Sequence, residues 1–266
     1  MSVISLTTDF GIKDGNVGVM KGVIWKISPN VQISDLSHMI GPQNIREAAL
    51  ILLRSAPYFP DGSVHVVVVD PGVGTSRRPM AAKIGNQYYV GPDNGTITLL
   101  LERAEKLEWP TEFVDLNIPQ YWLPEISFVF HGRDIFAPVA AHLSVGVPLA
   151  SLGTPFQNPV RLDFPKPEQT ETGWRGQFVH VDHFGNISSN IRAETLGNAL
   201  MNKGRITVRV GSAEIKGLVN TFGERAVGEL IALMGSTGNL ILSVVNGSAV
   251  ERLGVEVGDA IEVILE

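Results

Sequence analysis

Three places in this sequence set ionisable side chains at the end of an apolar run. Asp9 follows VISLTT in TTDFGIKDGN, with Asp14 five residues on; Asp70 follows VHVVVV and opens DPGVGTSRRP, which brings Arg77 and Arg78; His131 follows FVF in FHGRD. A carboxylate, a guanidinium and an imidazole are side chains that hold and activate a small nucleophile such as water, by orienting it, stabilising negative charge and moving a proton. Each motif also has a plainer reading. Asp9 and Asp14 are good caps for a helix starting near Asn16. Asp-Pro-Gly is ordinary turn chemistry, with Arg77 and Arg78 as surface charges, and His131 behind three apolar residues suits a half-buried structural histidine. Their joint occurrence at strand ends of what reads as one sheet favours a site, because loops and helix amino termini converge at that edge.

The elements that must position these residues follow from periodicity. VISLTT (3–8), VQISDL (31–36) and VHVVVV (64–69) alternate with helical patterns near 17–27 and 44–54. Further strands near Ala81–Val90 and Glu112–Leu116 are accompanied by helices near Thr96–Glu105 and Arg133–Ser144. This alternation predicts an α/β layered domain over residues 1–155 with a mostly parallel central sheet, its valine runs covered on both faces. Residues 156–172 are polar and carry several prolines, which reads as a linker. Residues 173–266 read as short strands, GQFVHVD, RITVRV, GELIALM, NLILSVV and DAIEVIL, parted by turn residues. They predict a smaller, all-β barrel domain. Within it, VDHFGNISSNI sets Asp182, His183 and Asn186 around a glycine turn, while TFGE carries Phe222 and MGSTGN carries Ser236. Taken alone these are a hairpin turn, a core aromatic and a tight turn.

Composition removes several function classes. The chain has 266 residues and a formal net charge of −6 without any Lys/Arg block, so nucleic acid is not an expected partner. It has no cysteine, which excludes thiolate nucleophiles and thiolate metal sites. The glycines of DPGVGT lack the Lys-Ser/Thr of a P-loop and the third glycine of a dinucleotide fingerprint. A metal would rest on Asp70, His131 and Asp134, or on Asp182 and His183; without an HxxxH-type pair none is expected. No apolar run approaches the ~20 residues of a membrane span and the amino terminus lacks the signal-peptide pattern, so the expectation is a cytoplasmic protein with no membrane association.

Taken in order, TDFG..D..VG.MKGVI, VVDPGVGT.RR, GPDNG, FHGRDIFAP, DHFGN and VNGSA resemble the S-adenosylmethionine hydroxide adenosyltransferase family, relatives of the fluorinating and chlorinating enzymes. The resemblance runs from Asp9 to about Ala249 and spans both domains. It implies a homotrimer whose sites lie between one subunit's first domain and a neighbour's second, and the attack of water, as hydroxide, on C5′ of S-adenosylmethionine. Adenosine and methionine leave, and no cofactor takes part. Matching positions make Asp70, Arg77 and His131 the catalytic set, with either Arg77 or His131 acting on the water. They make Asp9 the ribose acid, with Asp14 and Asn16 nearby on the pocket wall. Asp182, Asn186 and Ser236 fall at positions for the methionine end, and Phe222, Val245 and Asn246 at positions for adenine. The alternatives are halide transfer, giving a 5′-halo-adenosine, and binding without chemistry.

Overall fold

The computed structural model describes residues 3–265. The chain forms two compact units, Met1–Leu162 and Asp163–Glu266.

In the first unit the order is β1 (Val3–Thr8), α1 (Asn16–Ile27), β2 (Gln32–Ser37), α2 (Ile45–Ser55), β3 (Val64–Val68), β4 (Pro79–Ile84), β5 (Gln87–Pro92), α3 (Thr98–Lys106), β6 (Thr111–Asp115), a π-helical turn (Gly132–Phe136), α4 (Ala137–Ser144) and β7 (Thr154–Pro155). The sheet runs β2-β1-β3-β5-β4-β6-β7. It is mixed: β1 pairs in parallel with β2 and β3, and β3 with β5, whereas the β4–β5, β4–β6 and β6–β7 pairings are antiparallel. The uninterrupted valines of β3 follow from burial on both sides. Val64, Val66 and Val68 join the core under α1 and α4, whereas Val67 and Val69 join the core under α2 and α3.

Two local readings need correction. The stretch 81–90 is a hairpin, β4 turning into β5 at Gly85, whose φ of 58° suits a tight turn. FVFH is not a strand. Phe128 and Val129 are 78% and 79% exposed, so the run lacks a covered face, and His131 ends it as the helical N-cap residue of the π-helical turn.

The second unit comprises β8 (Glu168–Gln169), β9 (Gly173–Val181), β10 (Ile187–Arg192), α5 (Ala193–Leu196), β11 (Ile206–Val210), β12 (Ala213–Lys216), β13 (Leu230–Met234), β14 (Asn239–Val244), α6 (Ala249–Leu253) and β15 (Ala260–Leu265). Its strands run β12-β11-β15-β9-β10-β14-β13, each antiparallel to its neighbour, with β8 beside β9. A bridge from Val219, just beyond β12, to Leu233 on β13 nearly closes the ring around Phe178, Ile187, Leu240 and Ile261. This is the small barrel predicted from the short strands.

The parallel half of the first sheet contains a buried polar row. His65 on β3 lies between Ser5 on β1 and Tyr89 on β5; Ser5 Oγ is 2.6 Å from its Nδ1 and the Tyr89 ring stacks on it at 5.2 Å. The side chain is fully buried, and burial lowers its pKa from 6.5 to about 4. Because the folded value lies below the unfolded one, the stabilising contribution is complete above pH 6.5 and is lost as pH falls towards 4. Urea unfolding is therefore expected to show a loss of about 3 kcal/mol across that window. His65→Gln should flatten this acid dependence, and an equally steep loss in the variant would exclude His65 as its source.

Candidate active site

The site forms at the carboxyl edge of β1 and β3. These strands pair up to Thr8 and Val68, so the chain leaves both at the same edge, carrying Asp9 from one and Asp70 from the other. Asn94 reinforces the exit of β3 by donating its side-chain amide to Val69 O at 2.8 Å.

From Asp70 the chain makes two tight turns. Val73 N donates to Asp70 O, Thr75 N to Gly72 O, and the Thr75 hydroxyl also to Gly72 O. Both glycines have identifiable reasons. A Cβ on Gly72 would lie 3.1 Å from Arg77 Cγ, where the arginine stem folds back. Gly74 has φ +75°, and a Cβ there would meet Phe128 O at 2.2 Å. The turns deliver Arg77 to the strand end it left. Its Nε lies 3.0 Å from both Asp70 oxygens and its Nη2 2.5 Å from Oδ2. The same Nη2 reaches His131 Nδ1 at 2.9 Å, and the guanidinium lies 5.2 Å from the ring centroid of the buried Phe136. Asp70 and Arg77 side chains retain only 5% and 11% exposure.

The geometry also assigns the protons. A guanidinium can only donate, so His131 Nδ1 must accept, and neutral His131 carries its proton on Nε2. Burial and the adjacent Arg77 charge hold the His131 pKa below its ordinary value, against the opposing influence of Asp70 and Asp134. Arg77 Nη1 is buried and has no hydrogen-bond partner among the described residues. The arrangement therefore presents an unused guanidinium donor beside a carboxylate, which can hold an oxygen nucleophile and stabilise its negative charge.

Asp9 is fixed by the β2–α2 loop. Its Oδ2 accepts Gln43 N at 2.8 Å, with Gln43 in a left-handed conformation at φ 63°. Asn44 caps α2 through Glu47 N, and Glu47 reaches back to Gly41 N, so this loop is stapled at both ends. His38 grips the other side: its Nδ1 is 2.9 Å from Thr8 Oγ1 and its carbonyl accepts Gly11 N. Capping does not explain Asp9 or Asp14, because the N-cap of α1 is Gly15 and no side chain caps it. Asp14 is exposed, and Asn16 begins α1. Phe10 meets Phe130 edge-on at 5.6 Å, tying the Asp9 loop to the His131 loop. Arg78, read as a surface charge, instead forms a fork with buried Asp93 and stacks on Phe156 at 3.8 Å.

In the second unit Asp182 organises the β9–β10 turn. It accepts Phe184 N and Asn186 N at 2.9 Å each, and the Asn186 side chain at 2.7 Å. Gly185 packs on Ser248, and its carbonyl receives Ala249 N and Val250 N, so DHFGN and VNGSA meet. Val245 is half of that second motif's anchor, its N–H donating to Glu229 O and its carbonyl accepting Gly228 N; Asn246 beside it has φ 54°. Phe222 is partly exposed in a short 3-10 turn. Ser236 lies in the β13–β14 turn, at the opposite end of the β10–β14 ladder from Asp182, on the order of 15 Å along the strands. Among the described residues, no group of three or more His, Asp or Glu side chains is placed to hold a metal ion.

Gln43, His38 and Phe10 did not stand out in the sequence. The D-x-x-H spacing of Asp35 and His38 was the available signal; Asp35 Oδ1 lies 3.1 Å from His38 Nε2, and Lys21 bonds the same carboxylate at 2.6 Å.

Comparison with known proteins agrees along the whole chain. Residues 4–153 match the model for the SAM hydroxide adenosyltransferase N-terminal domain, and residues 176–262 the model for its C-terminal domain. An (R)-S-adenosyl-L-methionine hydrolase of Salinispora tropica is 40% identical over 98% of this chain and 97% of its own. One of Thermus thermophilus is also 40% identical, over 97% and 98%. Fluorinases match at 26 to 28% identity. The crystal structure of an uncharacterized conserved protein from Thermotoga maritima superposes with a TM-score of 0.90 at 37% identity, covering 99% of this chain and 100% of that one.

The proton assignment is open to direct observation. Nitrogen-15 NMR near neutral pH is expected to find His131 Nδ1 unprotonated and Nε2 protonated, whereas a protonated Nδ1 would break the Arg77 arrangement.

Proposed function

The chain belongs to the SAM hydroxide adenosyltransferase family, and we infer from that premise that it hydrolyses S-adenosyl-L-methionine to adenosine and L-methionine. The observation that carries the mechanism is the Arg77 fork, bonded to Asp70 and His131 with Nη1 left over.

The substrate already has a sulfonium leaving group, so departure of the thioether needs no acid. The barrier lies in the nucleophile, because neutral water is weak and must be aligned behind the C5′–S bond. In our reading Arg77 Nη1 donates to the attacking oxygen, lowering the cost of its hydroxide character, and Asp70 accepts one of its protons to orient it. His131, with Nδ1 engaged, serves as a donor through Nε2 and braces the guanidinium. The unpartnered Arg77 Nη1, against a His131 Nδ1 already engaged, is what supports Arg77 over His131 as the group that acts on the water. The new O–C5′ bond forms as the C5′–S electron pair passes to sulfur; the proton directed at Asp70 leaves by way of that carboxylate to solvent, and the other stays on oxygen as the 5′ hydroxyl of adenosine. Approach of a hydroxide-like oxygen to a cationic sulfur is favoured further where bulk water is excluded.

The remaining contacts belong to the same proposal. Asp9, with one oxygen on Gln43 N and the other available, suits a vicinal ribose diol. Asp14 and Asn16 would border that pocket, Asp182 and Asn186 would address the amino-acid end, and Phe222, Val245 and Asn246 the adenine; Ser236, at the far end of the β10–β14 ladder from Asp182, does not share the Asp182 contact within one chain. These roles rest on the family resemblance. We also propose the homotrimer, with each site completed by a neighbouring subunit; exposed Ile12, Phe128, Val129 and Phe184 beside the motifs supply apolar surface for it. A cytoplasmic location is part of this reading, and no helix among the described residues is long and apolar enough to cross a membrane.

Turnover in oxygen-18 water is expected to place the label in the 5′ hydroxyl of adenosine. Label in methionine, a 5′-halo-adenosine formed in chloride, or substrate recovered intact would each overturn hydrolysis at C5′. Arg77→Lys retains the charge but loses the fork, and is expected to lower kcat about 100-fold or more with little change in KM. A matched rise in KM with kcat intact would assign Arg77 to substrate binding instead.

A further inference from the structure

Asp134 lies outside the Asp70–Arg77–His131 group, yet it is the residue on which the His131 loop is built. Its side chain is fully buried. Oδ1 accepts Arg133 Nε at 2.5 Å, and Oδ2 accepts Arg133 Nη2 at 3.1 Å and Ser127 N at 2.8 Å. Its backbone carbonyl accepts Leu123 N at 2.9 Å. That last bond is possible because Pro138, four residues on, has no N–H to claim the carbonyl for an α-helical turn. The local winding widens into the π-helical turn, with Ala137 N donating to Gly132 O.

The same pair of residues anchors the far end of the loop. Arg133 N and Asp134 N both donate to Phe130 O, and the Arg133 guanidinium lies 5.1 Å from the Phe130 ring centroid. Residues 123–130 are thereby tied at Leu123, Ser127 and Phe130. This stretch includes Phe128, whose carbonyl packs against Gly74, and it delivers His131 to Arg77.

We propose that Asp134 is a positioning residue for the hydrolytic reaction, holding the 123–130 loop so that His131 Nδ1 faces Arg77. The proposal rests on the reading of Asp70, Arg77 and His131 as the water-activating group. A neutral amide suffices to staple a backbone, as Asn94 does at Val69. A buried carboxylate does more, because its charge opposes that of Arg77 at the imidazole. Three charged groups act there: Arg77 and Asp70 from one turn, and Asp134 from the other, its partner Arg133 paired with it. Removing Asp134 alone should make the imidazole harder to protonate.

The test is Asp134→Asn in the full-length enzyme, with thermal unfolding to establish that it folds. The expected result is a kcat about ten-fold or more below wild type with KM within about two-fold, since the substrate contacts are untouched. Nitrogen-15 NMR of His131 should show a lower pKa and a weakened hydrogen bond at Nδ1. An unchanged kcat, or a reduced kcat with His131 resonances unmoved, overturns the proposal. If this variant does not fold, Arg133→Gln at the more exposed end of the pair is expected to lower kcat and weaken the Nδ1 hydrogen bond likewise, but with the His131 pKa raised, because the Asp134 charge is left unpaired. For that variant too, an unchanged kcat, or a reduced kcat with His131 resonances unmoved, overturns the proposal. A wild-type enzyme without turnover would sink the hydrolase reading separately, and the His131 resonances alone would then decide the role of Asp134.

Discussion

The site depends on one guanidinium holding two partners at once. Arg77 donates to Asp70 along one edge and to His131 from the same Nη2, and its flat face lies near Phe136. A planar fork with fixed donor directions can do this; an ammonium on a flexible stem cannot fix three directions at once. Once both partners are engaged, the imidazole tautomer follows, and so does the identity of the donor left for a ligand. The chemistry is decided by which N–H groups remain, more than by which residues are nearby.

That constraint propagates into the backbone. Arg77 returns to Asp70 through a turn so tight that a Cβ at position 72 would crowd the arginine's own stem and one at Gly74 would collide with a neighbouring carbonyl. His131 can face Arg77 only if its loop is anchored, and the anchors come from a helix start that Pro138 prevents from winding regularly. The parallel half of the sheet supplies the fixed edge from which Asp9 and Asp70 leave together. Local irregularities at Gly74, Gln43 and the π-helical turn thus adjoin Arg77, Asp9 and His131 respectively.

Much of this was legible from the sequence, for physical reasons that differ from residue to residue. The valine run of β3 and the alternation around it identified a doubly covered strand because burial on both faces leaves few other options. The same logic failed for FVFH: three apolar residues read as a strand end, but Phe128 and Val129 face outward. Periodicity reports apolar content and does not report what covers it. Arg77 and Arg78 are adjacent and chemically identical, yet one enters the Asp70 fork and the other is drawn to Asp93. Their separation depends on long-range pairing that no local pattern encodes. Asp134 was noticed only as a possible metal ligand, because its actual partners are backbone amides and the arginine next to it.

The donor and acceptor inventory also bears on the choice between water and halide as nucleophile. A halide accepts hydrogen bonds and offers none, so a site built for it gains only from donors. Here the free donor on Arg77 Nη1 belongs to the same guanidinium that binds the Asp70 carboxylate, a group that repels an anion and can accept a proton. In the proposed mechanism water answers both demands, accepting from Arg77 while donating to Asp70, and the carboxylate that penalises a bare halide would help to draw a proton away from water. The charge that grows on oxygen in that mechanism as the O–H bond weakens is met by Arg77, whose Nη1 is buried. The pairing of a carboxylate with an arginine, where an arginine alone would serve an anion, is therefore the feature that makes hydrolysis the better fit.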